Sequence, residues 1–189
     1  MTPDQFTQLI KRKQTEMETL INDQLPRRIG KMAVDHFRDN FIKGGFVDNG
    51  INKWDKPKRF SETGKYAAQK YATLLSARKE LYNSISYNAS KGLITIKSDK
   101  PYSQIHNEGG EVNNAITITP EMRKFAWAKH YEATGGTGNS KWKSLALTKK
   151  ETINVHFTMP KRQFIGKSQE LLNDIETMIQ TQLNKILSH

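Results

Sequence analysis

A chain of 189 residues carrying a net charge of +11, with 35% hydrophobic residues and a mean hydropathy of −0.73, has the length of one domain but little apolar material for a large buried substrate cavity. The absence of cysteine excludes a disulfide framework, thiolate chemistry and cysteine-based zinc sites. No stretch approaches the ~18 apolar residues of a membrane span, and the start MTPDQFTQLIKRK has no apolar signal region, so a soluble cytoplasmic chain with no membrane partner is expected.

The positive charge is not spread evenly. Basic residues outnumber acidic ones by 13 to 6 over positions 26–82 and by 9 to 3 over 121–162, whereas both ends are close to neutral. Two internal cationic blocks predict an acidic partner, whether nucleic acid, anionic lipid or the acidic face of another protein, and argue against a disordered basic tail.

In chain order, Thr2-Pro3-Asp4 reads as a helix start, and Phe6, Leu9, Ile10, Met17, Leu20 and Ile21 recur at helical spacing. Pro26 is expected to end or kink this helix, because it lacks an amide donor and disfavours helical backbone at Leu25. Ile29, Met32, Ala33, Phe37 and Phe41 continue a helical stripe to the stop at Gly44-Gly45.

Turn formers and lysines through 44–65 predict a long exposed loop, of a length usually tied to function. A helix is expected from Tyr66 to Tyr82, on a face of Tyr71, Leu74, Leu75, Arg78 and Leu81. The period then becomes two: Ile85, Tyr87 and Ala89 alternate with polar residues, Asn88 to Gly92 supplies a turn, and Leu93 to Lys97 returns as the second strand of a hairpin.

Alternating runs at Ala115–Thr119 and Ile153–Met159 predict two more strands, for a sheet of about four, mostly antiparallel. Between them lie a helical stretch at Glu121–Tyr131 and a glycine-rich segment, 134–143, expected to be an exposed flexible loop. Leu171, Leu172, Ile175, Met178, Ile179, Leu183, Ile186 and Leu187 give a long amphipathic C-terminal helix. The fold class is therefore α+β: one domain over 1–189, with a small sheet packed by long N- and C-terminal helices and the 1–25 helix extending from the core.

Two His-x-Glu triplets, His106-Asn107-Glu108 and His130-Tyr131-Glu132, are the strongest enzyme-like pattern. On strands each would offer an imidazole and a carboxylate to one metal. In a helix, where His130 falls, residues two apart diverge, and a deaminase would need cysteines the chain lacks. Gly135-Gly136-Thr137-Gly138 lacks the Lys-Ser/Thr of a phosphate loop, and no serine stands in a nucleophile elbow. No catalytic residue, cofactor or metal ligand is assigned. Basic and aromatic residues interleave around Trp54 and again around Trp142, a mixture that suits phosphates and stacked bases or, equally, a protein interface.

Three segments carry a family resemblance. LLSARKELYNSISY (74–87) resembles the helix-to-strand junction of phage virion-morphogenesis and tail-completion proteins of the Mu-like type. PYSQIHNEGGEV (101–112) is similar to that family's Tyr-Ala-x-x-His-x-x-Gly stretch, with Ser103 in place of the alanine. MPKRQFIGKS (159–168) resembles its Pro-x-Arg-Pro-Phe-hydrophobic-Gly segment, with Gln163 in place of the second proline. GGFVDNGINKW (44–54) is also similar to the family loop that ends in tryptophan.

The resemblance implies a structural, non-enzymatic role: completing or capping a phage tail and joining it to the head. Its implied partners are other virion proteins (tail tube or terminator, head connector) and further copies of itself in a ring, with DNA a contact in the lumen. Its implied place is the tail or neck of the particle, after assembly in host cytoplasm. Candidate interface or motif residues are Trp54, Tyr102, His106, Gly109, Gly110, Trp142, Arg162, Phe164 and Gly166. The contrasting reading is a basic nucleic-acid-binding module.

Overall fold

The computed structural model describes residues 1–57, 71–90, 92–138 and 140–188. The chain is α+β and divides into two compact units: 1–109 together with 160–189, and Gly110–Met159 inserted between them.

The first unit begins with α1 (Pro3–Thr19), whose first turn is closed by a capping box. The Thr2 side chain accepts from the Gln5 amide, and the Gln5 side chain accepts from the Thr2 amide. Pro26 does not end this helix. A π turn (Leu20–Gln24) leads directly into α2 (Leu25–Lys43), and the Leu25 amide reaches back five residues to the Leu20 carbonyl. The wider turn shifts the hydrogen-bond frame just before the proline, so Leu25 keeps helical angles. The helix ends at Gly44, which is left-handed.

The expected loop at 44–65 is in part a hairpin. β1 (Gly45–Val47) pairs antiparallel with β2 (Ile51–Lys53), turning at Asn49 and Gly50, both with positive φ. An Asn-Gly pair suits that backbone well. Positions 58–65 of that loop, and 66–70 of the expected 66–82 helix, lie outside the described residues. The described remainder of the helix is corrected: residues 71–79 are not helical, and only α3 (Glu80–Ser84) is. Leu74 and Lys79 adopt positive φ, which a continuous right-handed helix does not permit. Leu74 and Leu75 still pack against the core, from turns.

β3 (Ile85–Ser90) and β4 (Leu93–Ser98) form the expected hairpin. It lies on α2 so closely that a Cβ on Gly30 would stand 2.2 Å from the Tyr87 ring. Arg38 fastens α2 to this hairpin by donating to the carbonyls of Tyr82 (3.3 Å) and Ile85 (3.0 Å). A short helix, α4 (Ser103–Glu108), follows. The unit closes with α7 (Gln169–Leu187), capped by Ser168 and held at its start by Asp48, whose carboxylate accepts from the Gln169 amide at 2.8 Å. Phe37, Phe41, Phe46, Trp54, Ile85, Phe164 and Leu171 fill the core between α2, the two hairpins and the start of α7.

The second unit is built on a ribbon of β5 (Gly110–Thr117) and β6 (Thr152–Met159), in register from Gly110–Met159 to Thr117–Thr152. Between the strands run α5 (Pro120–Thr134), capped by Thr119, and α6 (Lys141–Leu147), capped by Ser140. The flexible loop expected over 134–143 is therefore corrected: helices occupy both of its ends, and only 135–140 connect them. Arg123 ties α5 to the end of α6 through the carbonyls of Ala146, Thr148 and Lys150.

The expectation of one four-stranded sheet is corrected too. The described residues hold three separate two-stranded antiparallel sheets. Each strand pairs only with its hairpin or ribbon partner, and helices, not further strands, cover the core faces of the first unit.

Candidate functional site

Residues 160–166 run as a passage without helix or strand from the end of β6 toward α7. Such a stretch has no ladder of its own, so its backbone groups must find partners elsewhere or stay costly. They find them in three distant parts of the first unit. The Arg162 amide donates to the His106 carbonyl at 2.8 Å. The Gln163 carbonyl accepts from the Trp54 indole at 2.8 Å. The amides of Phe164 and Ile165 both donate to the Asn107 side-chain oxygen, at 2.9 Å each. The Phe164 carbonyl accepts from the Asn40 side-chain amide at 3.1 Å.

Asn40 has no exposed surface and serves two elements: its oxygen also accepts from the Val47 amide at 3.1 Å. One side-chain amide in α2 thus holds both β1 and the 160–166 passage. Phe164 is buried between these bonds, with its ring 5.1 Å from Phe41, and Phe41 packs edge-on to Trp54 at 5.6 Å. Such aromatic pairs add to the burial of their area.

Arg162 is buried and its Nε donates to the Asp55 carbonyl at 3.1 Å. Its side chain helps line a cleft of about 330 Å³ with Tyr102, His106, Leu75, Glu80 and Leu81. Tyr102 and His106 stand one turn apart on α4, rings edge to face at 6.0 Å. The His106 Nδ1 is buried with no hydrogen-bond partner among the described residues. Burial, and secondarily the neighbouring Arg162 charge, hold the His106 pKa below its ordinary 6.5, favouring the neutral ring.

Of the sequence-derived candidates, Trp54, Tyr102, His106, Arg162, Phe164 and Gly166 come together in this unit. Gly109 ends α4 at φ 75°, ψ −172°, a backbone region almost confined to glycine. Gly110, φ 131°, opens β5. Gly166 differs: a Cβ there would meet chiefly the far end of the Gln163 side chain, so the site needs room more than unusual backbone. Trp142 belongs to the second unit, on α6, where its ring meets Phe125 edge-on at 5.8 Å.

The residues that periodicity and motif reading passed over are Asn40 and Asn107. Asn40 sits in the apolar stripe of α2 beside Phe37 and Phe41, and a polar residue at such a position signals a buried hydrogen-bond hub. Asn107 is the middle residue of the first His-x-Glu triplet, and it is this residue, with the His106 carbonyl, that grips the 160–166 passage. In the second triplet His130 is buried, and its Nδ1 bonds to the Ser140 hydroxyl at 3.0 Å, bracing the turn between α5 and α6. Among the described residues no three of His, Asp and Glu gather as metal ligands would.

The arrangement is a clamp. Side-chain amides, an indole and a carbonyl satisfy one irregular segment, and bury its phenylalanine. Comparison with family models, with curated proteins and with solved structures finds no match for this chain.

Proposed function

We propose that this chain is a structural assembly subunit of a tailed-phage particle, one that completes or caps the tail and takes part in joining it to the head. The observation supporting this reading is the clamp. Of the segments that carry the resemblance to tail-completion proteins, 44–54, 101–112 and 159–168 contribute hydrogen bonds to it, whereas 74–87 does not. Segments far apart in sequence thus work as one architectural feature, as expected of a protein that acts through rigid contacts. Tail tube or terminator, head connector and further copies of the chain in a ring are its proposed partners, with DNA in the lumen and the tail or neck as its location.

The test is to purify particles and tail assemblies from a host producing the protein, and to delete its gene. The polypeptide is expected in one of those fractions, and the deletion should yield heads and tails that do not join. Absence from both fractions, together with an undiminished yield of joined particles, overturns the reading.

One observation favours a second reading, a nucleic-acid-binding module. Lys141 Nζ lies 5.3 Å over the Trp142 ring, Phe125 flanks that ring, and Lys124 and Lys143 stand on the same two helices. Cations beside partly exposed aromatic faces suit phosphates and stacked bases. The other basic-aromatic block gives less support, because Trp54 is buried and its indole nitrogen is engaged. A gel-shift titration should show affinity that falls steeply with salt, and no binding at low salt removes this reading.

A further inference from the structure

The β5–β6 ribbon is eight residues long on each side and stands as a two-stranded sheet. Isolated ribbons of two strands are marginal in water, and each outer edge directs every second N–H and C=O away from the ribbon. The register also sorts its side chains. Val112 opposite Phe157, Asn114 opposite Val155 and Ile116 opposite Ile153 lie on one face, whereas Glu111, Asn113, Thr117 and their partners Thr158, His156 and Thr152 lie on the other. The apolar face is open: Ile116 is 39% and Phe157 40% exposed.

Exposed edges are ordinarily protected by lysines, prolines, bulges or inward charges. This ribbon has none of these. In GEVNNAIT and TINVHFTM the one formal charge is Glu111, although charged residues make up 26% of the chain. The unit gives little support from within, since its buried residues are Ile118, Ala126, His130 and Ala146.

We propose that the ribbon is an inter-subunit element that binds the same ribbon of a second copy of this chain, edge to edge, covering part of its apolar face. The occupant follows from charge. Two copies at +11 each carry like net charge and repel one another where their cationic blocks face, and the ribbon, whose one formal charge is Glu111, is a long stretch where they can meet without opposing lysines or arginines. An acidic partner would be drawn to the lysine-bearing surfaces instead. The proposal rests on the assembly reading for its setting and supplies that reading with a surface.

Because the chain has no cysteine, single introduced cysteines report pairing directly. Residues facing one another across a strand pair lie within disulfide reach. Asn113→Cys, Asn114→Cys, Asn154→Cys and Val155→Cys, each in the full chain, alone and in equimolar mixtures of a β5 variant with a β6 variant, and oxidised with diamide, are compared with Lys124→Cys on the exposed surface of α5. Crosslinked dimer is expected at least tenfold in excess of the Lys124→Cys control at one or more ribbon positions. In parallel, Val155→Lys combined with Phe157→Lys should shift sedimentation toward monomer while leaving far-ultraviolet circular dichroism unchanged.

Crosslinking no greater than the control in every variant and every mixture overturns the proposal. So does self-association unaltered in the double lysine variant. A polypeptide found in particles without ribbon crosslinks removes the ribbon proposal alone. Crosslinks from a polypeptide absent from particles support the ribbon and count against the assembly reading.

Discussion

A single side-chain oxygen of Asn107 accepts hydrogen bonds from two successive backbone amides, Phe164 and Ile165, at 2.9 Å each. Removing that oxygen orphans two part-buried donors at once. Asn107→Ala should therefore cost about 2–6 kcal/mol, at about 1–3 kcal/mol for each unsatisfied group. Asn107→Asp keeps the acceptor and should cost clearly less. Urea denaturation of both variants checks this, and equal losses would mean that the double acceptance contributes little.

Phe164 is the apolar half of the same clamp, almost fully buried against Phe41. Phe164→Ala should destabilise the first unit by about 3–5 kcal/mol through lost burial and a residual cavity. Phe6, which is 55% exposed on α1, provides the comparison: Phe6→Ala should stay within about 0.5 kcal/mol. Similar losses from the two substitutions would contradict the placement of the core around Phe164.

Long periodic elements were legible in the sequence, and short or irregular ones were not. The stripes of α2 and α7 and the alternation of β3 and β4 are signals many residues long, so local noise does not erase them. Strands β1 and β2 are three residues each, too short for a period, although Asn49-Gly50 between Val47 and Ile51 was a usable hairpin signal. Residues 71–79 mislead because Tyr71, Leu74, Leu75 and Arg78 recur at helical spacing, whereas Leu74 and Lys79 adopt positive φ, which a continuous right-handed helix does not permit. At the site, Phe164 and His106 were legible as motif residues. The partners that hold the segment were not, because a bond from Asn40 to Phe164 spans 124 positions and leaves no local pattern.

Two of the motif glycines, Gly109 and Gly166, should separate experimentally. Gly109 occupies a backbone region that other residues rarely enter, so Gly109→Ala is expected to cost about 1–3 kcal/mol. Gly166 has no positive φ, and the atom nearest a new Cβ is the movable end of Gln163. Gly166→Ala should stay within about 1 kcal/mol, and Gly166→Ala combined with Gln163→Ala should recover most of any loss. Thermal unfolding of the three variants tests this, and a larger loss at Gly166 than at Gly109 would refute the assignment of backbone strain to Gly109.

His106 makes the stability of the first unit depend on pH with a definite sign. Burial and the adjacent Arg162 charge hold its pKa below 6.5, so the unfolded chain takes up a proton at that site before the folded one does. Stability should therefore fall as pH drops below about 6.5 and level off once the folded-state pKa is also passed. His106→Gln leaves intact the backbone carbonyl that receives the Arg162 amide, and so removes the titrating ring while keeping that bond. The other histidines are common to both proteins, so the difference between their urea midpoints across this range isolates His106. The wild type should lose more stability on acidification than the variant, and parallel pH profiles would show that the ring is not held neutral by its surroundings.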